Sequence, residues 1–266
     1  MATTRARMSY PMDRSSAALW RAIARLAWPV ALARLGIMGM GVVDVMVVGQ
    51  MAPRELSHQA LGWAPIGVLM VTGIGLLLGV QVYTARVMGE GRPELAFSVW
   101  RRGMVIAIAA GLACCALGFG LGEKIYTVFG IAPELARPAA RVMRVLLMSV
   151  PLHLTYVASA FFLEAIHRPL ASTTIMWAAN VINLVLNLAL VPGFGAVGSA
   201  WATVGARLAL ALVIVVWIWR MPDAARLDGR SEVRGPSYGA LLRVGLAAAV
   251  SQAAESGAFS GMVLRA

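Results

Sequence analysis

Residues 26–49 read LAWPVALARLGIMGMGVVDVMVVG. Almost every position is apolar or small, and about 20 residues of helix rise ~30 Å, the thickness of a bilayer's hydrocarbon core. One carboxylate, Asp44, interrupts the run. Placing Asp in mid-membrane costs roughly 2.5–3.5 kcal/mol on insertion scales, so its presence asks for a reason. Asp44 lies about four residues from the end of the run, ~6 Å along a helix axis, and so either reaches toward the headgroups or serves a buried polar site. A short side chain snorkels poorly, which favours the second reading.

The rest of the chain is built of the same material. Its 266 residues are 60% hydrophobic and only 13% charged, against about 25% charged in a soluble domain. The net charge of +11 would suit nucleic acid, yet the basic residues, nearly all arginine, sit in short segments between apolar runs. That distribution is the positive-inside pattern of a membrane protein, and no nucleic-acid partner is expected. Cys114 and Cys115 adjoin within an apolar run, about 100° apart on a helix, and read as small packing residues rather than a disulfide.

Residues 1–25 form a basic segment carrying Arg5, Arg7, Arg14, Arg21 and Arg25. The run after it is too long for a cleaved signal and is expected to stay as a first helix. Further runs come at about 56–82, 99–121, 134–166, 171–191, 196–219 and 241–266. Gly75 and Gly79 in the second have the small-xxx-small spacing of closely packed membrane helices. In the fourth, Arg137, Arg141 and Arg144 leave only residues 145–163 for lipid, with a kink at Pro151. Pro192-Gly-Phe-Gly195 separates the fifth run from the sixth. The expected fold is an all-α polytopic membrane protein: a six-helix bundle over 26–219, a polar linker at 220–240, and the start of a seventh helix at 241–266. The seventh run has no flanking loop after it, so the chain is expected to stop inside that helix. The bias of arginines puts the N-terminus and the linker on the cytoplasmic side of the inner membrane.

Among the acids, Asp44, Glu164 and Glu255 fall in or at the ends of spans, where carboxylates are candidate ion or proton sites. Glu164 precedes Arg168 by four residues, and an interfacial i,i+4 pair between them, worth ~0.2–0.5 kcal/mol, is the favoured reading. Asn180, Asn183 and Asn187 fall within a sector of about 60° on the fifth helix. Such a stripe either ties helices together or lines a cation or proton site. Arg34, ten residues before Asp44, is off its face and not placed to pair with it; Arg207 has no account beyond facing protein or water. His58, His153 and His167 make no metal-ligand spacing, no nucleotide or nucleophile motif occurs, and no enzyme is expected.

Several stretches together resemble a known family. Trp28-Pro-Val-Ala-Leu-Ala-Arg-Leu35 and Val43-Asp-Val-Met-Val-Val-Gly49 are similar to the first helix of the multidrug and toxic compound extrusion (MATE) transporters, and Glu55-Leu-Ser-His-Gln-Ala-Leu-Gly62 to the segment after that helix. Glu164-Ala-Ile-His-Arg-Pro169, Asn183-Leu-Val-Leu-Asn187, Gly195-Ala-Val-Gly-Ser-Ala-Trp-Ala-Thr203 and Ala254-Glu-Ser-Gly-Ala-Phe259 resemble later parts of the NorM-like branch, in order. The resemblance implies a secondary exporter of organic, often cationic, drugs, driven by entry of H+ or Na+ with no cofactor. Such transporters have twelve helices in two six-helix bundles. Carried over residue by residue, Asp44 matches the first-helix acid of the coupling-ion site, and Thr203 a polar neighbour. Asn183 and Asn187 match a fifth-helix pair whose second position is often Asp. Glu255 matches a seventh-helix acid, and Gln81, Asn180 and Glu164 are taken as cavity-lining positions. The C-terminal bundle is a missing partner on this reading, and the chain alone is not expected to pump. A lipid-linked-oligosaccharide flippase of the same superfamily, or a non-transporting scaffold, are the alternatives.

Overall fold

The computed structural model describes residues 16–227 and 235–263; side chains at 16–26, 225 and 255–263 lie outside the description. Every described element is helical: α1 (Ser16–Met51), α2 (Leu56–Gly89), α3 (Ala96–Leu121), a short α4 (Lys124–Val128), α5 (Pro133–Met148), α6 (Val150–Ala165), α7 (Pro169–Trp219), a short α8 (Ala224–Leu227) and α9 (Tyr238–Val263). Among the described residues, five stretches are long and apolar enough to cross a membrane: Ala27–Met51, Pro53–Gly89, Pro93–Leu121, Pro133–Ala165 and Pro169–Trp219. Helix α1 starts well before its apolar run, because Ser16-Ala-Ala-Leu-Trp-Arg-Ala-Ile-Ala-Arg25 is rich in good helix formers.

The fifth stretch is two helices in one. Gly195 adopts φ 57°, ψ −137° inside α7, a conformation that only glycine takes without strain. The chain folds back there into a hairpin with arms at 169–194 and 196–219. Close packing results: a Cβ placed on Gly198 would come within 2.5 Å of the Leu190 carbonyl oxygen. The break expected at Pro192–Gly195 therefore turns at its last residue.

The fourth stretch is broken as well. Ser149 separates α5 from α6, two residues ahead of Pro151. Proline has no N–H, so the Leu147 carbonyl loses its ordinary helical donor. The Cys115 thiol donates to that oxygen at 3.0 Å, giving this cysteine a polar task beside its packing. Arg137 and Arg141 are exposed on α5, whereas α6 is the central post of the bundle, with only Pro151, Leu152 and Glu164 short of full burial.

The glycines of α2 place α9. A Cβ on Gly79 would stand 2.2 Å from the Leu241 carbonyl oxygen, and one on Gly75 would stand 2.8 Å from Ala249 backbone. The two helices thus touch backbone to backbone, as the small-xxx-small spacing implies. At one end of the bundle Phe97, Trp100, Phe162 and Trp219 form an aromatic cluster, edge-to-face except for the tilted Trp100–Phe162 pair, with ring centroids 5.5–5.9 Å apart. Outward faces carry Val45, Val105, Leu112, Leu117, Val185, Leu212 and Val213, all exposed, as a lipid-facing surface requires.

Candidate functional site

Asp44 is wholly buried at the meeting of α1 with both arms of the α7 hairpin. Its Oδ1 accepts from Asn183 Nδ2 at 3.0 Å and from Asn187 Nδ2 at 2.7 Å; its Oδ2 accepts from the Thr203 hydroxyl at 2.7 Å. Asn183 and Asn187 share a face because they are one turn apart, and the Gly195 turn brings Thr203 opposite them. Every donor is neutral. A buried carboxylate held only by neutral donors retains its appetite for a positive charge.

The same cluster supplies further oxygens. Asn183 Oδ1 and Asn187 Oδ1 are buried and have no hydrogen-bond partner among the described residues. Rotating either amide by half a turn puts that oxygen where its N–H now stands, exchanging a donor to Asp44 for a ligand or proton acceptor. One carboxylate, two amide oxygens and a hydroxyl make a hard, all-oxygen set with a single negative charge. That set suits a proton or a small monovalent cation better than soft metals.

The asparagine stripe divides. Asn180 lies outside the Asp44 cluster and donates to Gly36 O and Met176 O, both at 3.0 Å, so it ties α7 to α1. Above the cluster Gln59 donates to Ser199 Oγ at 3.2 Å. Sequence reasoning passed over Gln59, Ser199 and Glu55. Glu55 Oε2 accepts the Ala196 N–H at 2.7 Å and so caps the second arm of α7 just past its turn. The i,i+4 spacing of Ser199, Thr203 and Arg207 is the signal that would have exposed that arm's polar face.

Glu164 belongs to a second cluster, and the pairing expected for it is corrected. It accepts from Gln81 Nε2 at 3.0 Å and lies 3.9 Å from Arg34 Nη2, whose guanidinium stacks over Phe161 at 5.2 Å. Arg168 pairs instead with Asp223. The reason is local: α6 ends at Ala165 and His167 takes a left-handed φ of 61°, so Arg168 is no longer one helical turn beyond Glu164. Arg34, as expected, does not reach Asp44. The Glu255 side chain lies outside the described residues.

A family model for MatE matches residues 29–189. The chain belongs to the MatE family. It is 42% identical over 249 residues to a probable multidrug resistance protein NorM of Caulobacter vibrioides, covering 90% of this chain and 53% of that protein. It is 26% identical over 262 residues to the multidrug resistance protein PmpM of Pseudomonas aeruginosa, covering 90% and 52%. Among solved structures, the eukaryotic MATE transporter AtDTX14 superposes with a TM-score of 0.83 at 18% identity, over 92% of this chain and 55% of that one. A MATE in the bent conformation superposes with 0.79 at 23% identity, over 88% and 53%. The MatE chain thus spans about half the length of the curated relatives it matches. With its apolar helices it is a multi-pass membrane protein, and the all-α bundle expected from sequence is the fold of this family.

Proposed function

We propose that this chain supplies the ion-binding bundle of a secondary multidrug exporter, in which H+ or Na+ entering at Asp44 drives organic, often cationic, drugs outward across the inner membrane. The observation that carries the reading is the wholly buried Asp44 carboxylate, held by three neutral donors from both arms of one hairpin. Its relatives bear multidrug resistance names. A cation arriving there replaces neutral donors with ligand oxygens, which loosens the grip of Asn183 and Asn187 on α1. That change in α1–α7 packing is the local event an alternating cleft would use. Residues 26–219 form the bundle, the linker at 220–240 lies on the cytoplasmic side with the N-terminus, and a second six-helix bundle faces it across the cleft.

The flippase alternative needs a basic cavity for an anionic cargo. Arg34 leans on Glu164, and Arg207 is buried at 3% exposure inside the bundle, so neither offers a free positive wall. The exporter is preferred.

A chimera tests the reading. Residues 1–240 replace the matching half of the Caulobacter relative, and ethidium efflux is measured in cells lacking their own exporters. Efflux by the chimera with Asp44, and its loss in Asp44→Asn at unchanged membrane abundance, is the expected result. Efflux that survives Asp44→Asn removes the site assignment.

A further inference from the structure

Arg207 is the second charge sealed inside this bundle. It is 3% exposed, and its Nη1 donates to the Ser149 hydroxyl at 2.7 Å and contacts Met70 Sδ at 3.3 Å. Its guanidinium lies 5.3 Å over the Trp63 ring. None of these partners is anionic, and no carboxylate among the described residues forms an ion pair with it. Arginine does not shed its proton in proteins, so the positive charge is permanent.

Its position relative to Asp44 is fixed by the second arm of α7. Thr203, which donates to Asp44 Oδ2, is four residues before Arg207, one turn or ~6 Å of helix. Asp44 and Arg207 are each hydrogen-bonded only to neutral groups. The guanidinium is bonded instead at the break between α5 and α6, to Ser149, whose own hydroxyl is engaged with Leu146 O at 2.6 Å.

We propose that Arg207 is a tethered countercharge that sets how tightly Asp44 holds its cation. The inference rests on the reading of Asp44 as the cation site. While the site is empty, the guanidinium and the carboxylate stabilise each other through a poorly screened interior. A cation on Asp44 cancels that attraction and leaves Arg207 with a positive neighbour, so binding is opposed and release favoured. Arg207 touches none of the ligand oxygens and acts as a positioning residue through charge alone. Among the described residues, the other charged or titratable groups on the packed helices include His153 on α6, which lies one turn after Ser149, and Arg34 on α1, engaged with Glu164. Neither reaches Asp44.

The test uses the 266-residue chain in lipid nanodiscs. Thermal unfolding is measured against NaCl, with choline chloride as control, and separately against pH, and the Asp44-dependent stabilisation gives a half-saturating Na+ or H+ concentration. Arg207→Gln should lower that concentration about ten-fold, the scale of removing one unit charge from a poorly screened interior. Arg207→Lys, which keeps the charge, should leave it close to the native value. Should Arg207→Gln fail to insert, Arg207→Met makes the same charge change with a side chain suited to the apolar neighbours. An unchanged half-saturation in the neutral variants, with Asp44→Asn abolishing the stabilisation, overturns the inference and leaves the site reading standing. Equal shifts in the Lys and Gln variants also overturn it, since packing rather than charge would then be responsible. Stabilisation that persists in Asp44→Asn removes the site reading and the inference together.

Discussion

Asn187 and Thr203 are sixteen residues apart on one continuous hydrophobic stretch and donate to opposite oxygens of the same Asp44 carboxylate, each at 2.7 Å. In a straight helix they would be ~24 Å apart. The turn at Gly195 makes them neighbours, and the closing of the Asp44 cluster from both sides depends on that turn.

Gly195→Ala should therefore be costly. The new Cβ would lie 2.1 Å from Glu55 Oε2, and the left-handed φ adds strain. A loss of about 1–3 kcal/mol is expected, read as a lower unfolding midpoint in detergent. Adding Glu55→Ala removes the clash but not the backbone strain, so it should recover only part of the loss. Full recovery would show that the turn tolerates a side chain.

Gly79→Val should detach α9. The added methyls would enter the space of the Leu241 carbonyl, at 2.2 Å from the ideal Cβ. Amides of residues 241–254 should exchange with deuterium markedly faster, while those of α6 keep their protection. Unchanged exchange in α9 would mean that the helix can dock at another register.

Asn187→Asp would place a second carboxylate beside Asp44. Two like charges repel in the empty site and attract a cation more strongly, so the Na+- or H+-dependent stabilisation should grow and half-saturate about ten-fold lower. An unaltered cation response would count against an ion-binding role for this position.

The two polar contacts near the end of α6 should behave unequally. Arg168 and Asp223 form an exposed pair, and Arg168→Leu should change stability by roughly 0–1 kcal/mol. Gln81→Leu removes the donor at 3.0 Å from the mostly buried Glu164 and should cost about 1–3 kcal/mol. Unfolding midpoints of the two variants, compared under one condition, decide between them.

The features legible in the sequence are those that one helix encodes by itself. Apolar run lengths gave the spans, Pro151 and Pro192-Gly-Phe-Gly195 marked the two breaks, and the shared face of Asn183 and Asn187 showed a polar stripe. Attaching that stripe and Thr203 to Asp44 took the family resemblance, because partners 139 to 159 residues apart are set by packing register, which spacing does not contain. The same limit misdirected Glu164. A four-residue interval to Arg168 implies a pair only if the helix continues, and His167 ends it. Arg34 and Arg207 escaped for a related reason: each finds its partners on helices distant in sequence, Glu164 and Phe161 for one, Ser149, Met70 and Trp63 for the other.

The hairpin at Gly195 also imposes an order on biosynthesis. Asp44 is made early, within the first helix, while Asn183 comes 139 residues later and Thr203 after 159. At roughly 5–20 residues per second, a ribosome takes on the order of ten seconds to supply the first of these donors. Throughout that interval the acid of α1 lacks these donors, at a cost bounded by the roughly 2.5–3.5 kcal/mol that insertion scales assign to a central Asp. The polar partners of the first span are therefore complete only once the last of the bundle's helices has turned back upon itself.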